Sequence, residues 1–275
     1  MLPDLDWLPR LAAALLATGL LVLFLVRAVR KDRREYARFR RYRSTARRQA
    51  MLRRWLIESL ALFGGTAALV LVAVQPFVAP LLAETQALPP VAWLRDALTG
   101  GLGAGLLIGA VVGGTLLTVI GVRSARAEGG VVMVGDIASL LPRNRPELGW
   151  GAALSVNAGI VEEALFRLAL PALLVIVTGE PISAFVLAAL VFGALHAYQG
   201  WLGVVATSVV GLLFTTLYVV SGSILLAMFD LRTLVVIPMA VYRVHEVPGS
   251  VRFPRPLALA TPPAQPEAAQ PEADA

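Results

Sequence analysis

The sequence predicts an all-α, polytopic membrane protein: a bundle of about seven transmembrane helices. Of its 275 residues, 57% are hydrophobic and only 15% are charged, whereas soluble domains are close to half apolar and about a quarter charged. The mean hydropathy is +0.75. The hydrophobic residues also gather in runs of roughly 20 residues, the length that crosses a bilayer core of about 30 Å.

Seven apolar runs are the predicted spans. They lie at about residues 7–26, 59–83, 97–122, 149–178, 181–198, 200–220 and 223–240. The first has no basic residue before Arg10 and no small-residue cleavage site, so it is predicted to be a retained anchor. The fourth carries charged residues, and the seventh is the weakest because Asp230 and Arg232 interrupt it.

Positive charge is concentrated in one segment. Residues 27–54 contain 13 of the 24 Lys and Arg residues but only two acids, a local charge of +11, while the rest of the chain carries −5. By the positive-inside rule this segment is cytoplasmic. The N-terminus is then outside and the C-terminus cytoplasmic, in an integral membrane protein of a bacterial inner membrane.

Two interpretations of this Arg-rich segment compete. We favour a topology determinant with solvated helix ends, and the alternative is an interfacial helix lying on anionic lipid. The lipid bilayer is the expected partner. Nucleic acid is not, because the basic charge is confined to this one stretch.

A stripe of small residues marks the third run. Gly101, Gly105, Gly109 and Gly113 recur at a spacing of four, which places bare backbone along one helix face and permits close helix approach in lipid. Packing within one subunit is the default interpretation, and a homo-oligomer seam is the alternative.

The most informative charges lie inside the fourth run, at Glu162, Glu163 and Arg167. A charge at mid-bilayer costs about 2.5 to 3.5 kcal/mol on insertion scales. Glu163 and Arg167 are four residues apart, so they share a helix face and can form an ion pair. Glu162 is turned by about 100° and needs another partner. A purely structural ion pair is the plain alternative, but the second glutamate favours acid–base chemistry.

One of the two histidines, His196, lies near the cytoplasmic end of the fifth run. The tight turn near Gly179 makes the fourth and fifth helices antiparallel neighbours. At the standard rise, Glu163 is about 24 Å and His196 about 26 Å from that turn. The two side chains should therefore lie at similar depth, where carboxylates and an imidazole can polarise a water molecule or bind a metal.

These residues resemble the CPBP family, which comprises CAAX prenyl endopeptidases and bacteriocin-processing enzymes and is also called the Abi family. Its first motif, Glu-Glu-x-x-x-Arg, matches Glu162, Glu163 and Arg167, and its second, Phe-x-x-x-His, matches Phe192 and His196. The family's order of elements is similar from about residue 136 to residue 230.

The resemblance implies an intramembrane protease, a hydrolase whose glutamates and histidine activate water to attack a membrane-bound or lipidated peptide. Glu162 and His196 would be the water-activating pair, Glu163 would assist and Arg167 would hold a carboxylate. A metalloprotease is also possible under this resemblance; Glu162, Glu163 and His196 would then be the ligands of a divalent metal such as zinc.

The chain departs from the family at the third motif, a histidine followed four residues later by Asn or Asp. Asp230 matches the second position, but Leu226 occupies the first. The other histidine, His245, follows the last run. The missing histidine motivates an alternative function, a non-catalytic membrane scaffold or bacteriocin-immunity-type protein. A transporter is less favoured because no inverted repeat is evident.

Four segments follow from these observations. They are an N-terminal anchor helix with the Arg-rich cytoplasmic segment (1–58), two transmembrane helices with their loops (59–135), a CPBP-like catalytic membrane core (136–241) and a disordered cytoplasmic tail (242–275). The tail is rich in Pro, Ala, Gln and acids, a composition that cannot bury a core.

Overall fold

The computed structural model describes residues 6–100 and 138–228, and within these ranges the regular structure is helical. The helices are α1 (Trp7–Phe39), α2 (Thr45–Ala87), α3 (Pro89–Thr99), α4 (residues 145–178), α5 (Pro181–Leu195), α6 (Trp201–Ser221) and α7 (Ile224–Met228). The all-α prediction is confirmed. The glycine stripe, Asp230 and most of the third and seventh predicted spans lie outside the described residues.

The chain is an integral membrane protein. In the described part, α1, α2 and α6 are long and apolar enough to cross a bilayer, and α5 is a shorter apolar helix. Large apolar side chains such as Leu69 and Val72 are exposed, while charged side chains such as Glu163 and Arg167 are buried. Outward apolar and inward polar faces suit a bundle surrounded by lipid.

The first two helices extend well beyond their apolar runs. α1 continues to Phe39 and α2 begins at Thr45, and each contains one wide π-helical turn, at Ala28–Asp32 and at Ser59–Gly64. We call residues 28–58 the arm. Its two helical segments are joined by the short turn between Phe39 and Thr45.

The arm has a buried inner face, which corrects the expectation of simply solvated helix ends. Phe39 packs against Trp55 with ring centroids 4.8 Å apart, and the Trp55 indole donates to Glu35. Glu58 accepts from Arg27, Lys31 and Arg54. The acids of the segment are thus used internally, and a set of arginines remains exposed on the outer face: Arg30, Arg33, Arg34, Arg38, Arg40, Arg41, Arg43, Arg47 and Arg53.

Helix α4 is the centre of the bundle. Its last part, Leu170–Thr178, packs against α1, α2 and α5, and residues 170–175 are all buried, as expected of a helix segment that is apolar on all sides. Gly179 then adopts φ +68°, a left-handed conformation that ends the helix and turns the chain back into α5. The predicted antiparallel pairing of α4 and α5 is confirmed.

Helices α5 and α6 cross closely because of two glycines. A Cβ at Gly193 would lie 2.9 Å from the Cα of Ser208, and one at Gly211 would lie 3.3 Å from the carbonyl oxygen of Ala189. This close approach places the Phe192 ring beside the backbone of α6, at the level of the charged residues of α4.

Candidate active site

The glutamate and arginine of the first motif form a buried ion pair. Arg167 Nη1 lies 2.9 Å from Glu163 Oε1, and both side chains are almost fully buried. The pair spans the start of a π-helical turn, Ala164–Ala169, where α4 is wider than a regular helix. Such turns recur at functional sites. The ion pair predicted from the spacing of four is present.

Phe192, the aromatic residue of the second motif, joins the two motifs. Its ring centroid lies 4.8 Å from the guanidinium carbon of Arg167, a cation–π contact, and 4.8 Å from the imidazole of His196. Arg167 also donates to the carbonyl of Gly211, at 3.4 Å, and lies over Phe214. The arginine is therefore held between α4, α5 and α6.

His196 lies immediately after Leu195, the last residue of α5. The helix of the fifth predicted run therefore ends at Leu195 rather than at Tyr198. Its Nδ1 is 2.8 Å from the carbonyl oxygen of Phe192, one of the acceptors left over at a helix C-terminus. A carbonyl can only accept, so Nδ1 carries the proton and Nε2 of the neutral ring is the basic nitrogen. The side chain is 8% exposed.

Glu162 precedes the ion-paired glutamate and is less buried than Glu163. Helix geometry turns it about 100° from the Glu163–Arg167 face. The described structure thus gives the two adjacent carboxylates different environments: Glu163 is bound by arginine in the core, and Glu162 lies at a partly accessible position.

The element that follows the Gly-Ser turn returns to α4. Gly222 adopts φ +71°, and α7 then packs against the Arg145–Glu163 part of α4. Leu226, at the position of the family's third-motif histidine, is 51% exposed. Asp230 and His245 lie outside the described residues.

Glu162, Glu163 and His196, the predicted ligands of a divalent metal, all lie in the described part of the chain. Within residues 6–100 and 138–228, no group of three or more His, Asp or Glu side chains is arranged to hold a metal ion. Glu163 is ion-paired with Arg167, and Nδ1 of His196 lies 2.8 Å from the Phe192 carbonyl oxygen; the metal set stays a prediction.

Sequence reasoning missed a second buried ion pair, between Arg48 of the arm and Glu147 of α4. Arg48 Nε donates to Glu147 Oε2 at 2.9 Å, and Arg48 also donates to the carbonyls of Ser139 and Leu141. One local signal was readable: Asn144 followed three residues later by Glu147, with Pro146 between, is a helix N-terminal pattern. The Asn144 side chain indeed accepts from the Glu147 amide. Nothing in the local sequence indicated the partner, Arg48, which is 99 residues away.

The comparison with protein families agrees with this geometry. Residues 144–229 match a family described as Rce1-like, type II CAAX prenyl endopeptidase. The predicted resemblance to the CPBP family is confirmed. We call residues 144–229 the CPBP segment; it begins at the N-cap of α4 and contains both motifs. The family is one of proteases, and its segment covers about a third of the chain.

No curated protein and no solved structure matches the chain significantly.

Proposed function

We propose that this protein is an intramembrane endopeptidase of the CPBP type that hydrolyses peptide bonds of membrane-associated or lipidated substrates. One observation carries the proposal: the Phe192 ring contacts both Arg167 and His196, so the two family motifs form one buried cluster. A purely structural Glu163–Arg167 pair would not require its aromatic neighbour to contact an imidazole as well.

The proposed reaction uses a water molecule activated by His196 and Glu162. Nδ1 is held by the Phe192 carbonyl, and in the proposed step Nε2 takes a proton from the water as the water oxygen attacks the substrate carbonyl carbon. The same proton is then delivered to the amide nitrogen, the C–N bond breaks, and a carboxylic acid and an amine leave. Glu162 shares the proton transfer.

Glu163 and Arg167 have a supporting role in this proposal. The ion pair positions Arg167, whose hydrogen bond to Gly211 and contact with Phe192 hold the π-helical turn of α4 against α6 and α5. Bonds of this kind fix the relative positions of Glu162 and His196. Low local dielectric strengthens each of these interactions.

Cleavage of a defined substrate panel tests the proposal. The purified full chain in nanodiscs is given internally quenched peptides ending in a CAAX sequence, each with and without a farnesyl group on the cysteine. Wild type is expected to cleave at least one farnesylated peptide. Glu162→Gln and His196→Ala should lower the rate by about 10² to 10⁴, the contribution of general acid–base catalysis.

Matched variants separate catalysis from folding. Glu180→Gln changes a glutamate in the turn between α4 and α5, at the far end from the site, and His245→Ala changes the other histidine. Both are expected to retain the wild-type rate. Equal rates in Glu162→Gln, His196→Ala and wild type would overturn the mechanism.

A specific observation also supports a second candidate, a non-catalytic scaffold or immunity-type protein. Leu226 stands where the family has a histidine, and loss of one transition-state donor costs about 10² to 10³ in rate. This candidate predicts that Glu162→Gln complements a deletion strain as well as wild type does. Complementation by wild type alone supports the endopeptidase.

We further propose a bacterial inner-membrane location with the N-terminus outside and the C-terminus cytoplasmic. The chain has no cysteine, so single-cysteine variants report topology without background. An impermeant maleimide added to spheroplasts should label Glu180→Cys directly and Arg43→Cys only after lysis. The reverse pattern would invert the topology.

A further inference from the structure

The arm reaches the proposed catalytic histidine through two tyrosines. Tyr36 of α1 is 4% exposed, and its ring lies 5.3 Å from that of Tyr198 in an edge-on contact. Tyr198 in turn lies 5.7 Å from the imidazole of His196. The imidazole therefore has Phe192 on one side and Tyr198, supported by the arm, as a second aromatic neighbour.

The turn that carries Tyr198 has little support of its own. It is a single 3₁₀ turn, Ala197–Gln199, closed by backbone bonds from Gln199 to His196 and from Gly200 to Ala197. Gly200 follows with φ +83°. Short 3₁₀ turns have poorer hydrogen-bond geometry than α-helices, so side-chain packing must hold this one in place. The neighbouring helices α5 and α6 contact the turn, and the arm adds packing from a distant part of the chain, since residues 28–32 and 33–39 of α1 both contact it.

We propose that Tyr36 is a positioning residue for His196, acting through Tyr198. The proposal rests on the proposed endopeptidase function and extends its site beyond the CPBP segment, because Tyr36 belongs to the arm. Phe192 contacts the imidazole from α5 and its carbonyl fixes Nδ1; Tyr198, packed edge-on against Tyr36, is the second aromatic contact that limits movement of the ring. The aromatic ring of Tyr36, which fills the space against Tyr198, is the part that acts.

Kinetics with conservative and truncating variants test the proposal. Tyr36→Leu removes the ring, and Tyr36→Phe keeps it. Small misplacement of a catalytic group costs up to about a hundredfold in rate, so Tyr36→Leu should lower kcat about tenfold or more with KM within about twofold. Tyr36→Phe should keep the wild-type kcat.

A double-variant comparison tests the route of the effect. Tyr198→Leu, at a partly exposed position, should reproduce the loss in kcat. Combining it with Tyr36→Leu should lower kcat no further, because one effect acts through the other. Additive losses would overturn the proposed route. Should Tyr36→Leu fail to fold, Tyr198→Leu alone decides: an unchanged kcat overturns the proposal.

A second readout does not depend on activity and so separates this proposal from the proposed function. Diethyl pyrocarbonate modifies accessible imidazoles, and mass spectrometry distinguishes His196 from His245, the internal reference. Tyr36→Leu and Tyr198→Leu should raise the His196 rate several-fold relative to His245, while Tyr36→Phe should not.

Tyr42→Leu is the matched control, a tyrosine of the same arm whose ring packs on Phe39. It should change neither readout. An inactive wild type with the expected labelling pattern would refute the endopeptidase and keep the positioning of His196. Unchanged labelling in both leucine variants, or raised labelling with unchanged kcat in an active enzyme, would overturn the role of Tyr36.

Discussion

Arg48 and Glu147 form a fully buried ion pair that joins the arm to the first turn of α4. Their side chains are 0% and 1% exposed, and the guanidinium carbon also lies 4.2 Å from the centre of the Phe39 ring. The backbone amide of Arg143 donates to the same Glu147 oxygen. Two further bonds surround this pair: Gln49 donates to the carbonyl of Pro146, and the Thr45 hydroxyl accepts from the Asn144 amide.

Arg48→Met is expected to lower the free energy of unfolding by about 3 to 5 kcal/mol, because it leaves the Glu147 carboxylate buried without its cation. Glu147→Leu should cost a similar amount. The double variant should lose less free energy of unfolding than the sum of the two single losses, because no unpaired buried charge remains. Unfolding of the purified protein in mixed micelles measures all three. Arg47→Met, at the adjacent exposed position, is the control, and an equal loss there would contradict the role of the buried pair.

Arg167 is expected to tolerate neither loss of charge nor loss of shape. Arg167→Met removes the buried cation of the Glu163–Arg167 ion pair and should lower the free energy of unfolding by about 3 to 5 kcal/mol. Arg167→Lys keeps the charge but loses the planar group over Phe192, and should cost about 2 kcal/mol. Thermal unfolding in detergent ranks the variants, with the exposed Arg53→Lys as reference. A lysine as good as arginine at position 167 would refute the stacking argument.

Gly193→Ala is expected to separate α5 from α6. The new Cβ would lie 2.8 Å from the Cβ and 2.9 Å from the Cα of Ser208, and overpacking of this kind costs about 1 to 3 kcal/mol. Gly149→Ala is the matched control, because a Cβ there meets nothing within 4 Å and should stabilise α4 by up to about 1 kcal/mol. Unfolding midpoints compare the two. A neutral or stabilising Gly193→Ala would show that the crossing is looser than described.

Glu180 should give a small pH-dependent stabilisation. Its carboxylate accepts from the Ser183 amide, and from that of Ile182, at the N-terminus of α5, which lowers the pKa of Glu180 below its ordinary 4.5. A carboxyl group whose pKa is lower in the folded than in the unfolded state stabilises the fold above pH 4.5. This stabilisation is lost as the pH falls through the folded-state pKa. The difference in Tm between wild type and Glu180→Gln should therefore be present at pH 7 and vanish at strongly acidic pH.

Asp6→Asn provides the comparison for this pH effect. Asp6 occupies the N-cap of α1 but makes no capping bond from its side chain. Its substitution should leave Tm nearly unchanged at either pH. A Glu180→Gln difference that grew on acidification would contradict the capping argument.

Local spacing along the chain determined much of what was predicted. Long apolar runs can satisfy their backbone in lipid only as helices, so the all-α membrane class followed from composition and run length. The Glu163–Arg167 pair followed from a spacing of four in a helix. The order of Glu162, Glu163, Arg167, Phe192 and His196 was sufficient for the family resemblance, because a motif is itself a local pattern.

Only the tertiary structure decided which helix faces meet. The contact of Phe192 with Arg167 depends on the close crossing that Gly193 and Gly211 permit, and the Arg48–Glu147 and Tyr36–Tyr198 contacts join residues far apart in the chain. A charge-rich segment is compatible with solvent as well as with buried partners, and periodicity does not distinguish them. The physical reason is that sequence spacing specifies geometry within one helix, whereas the packing of several helices selects the partners.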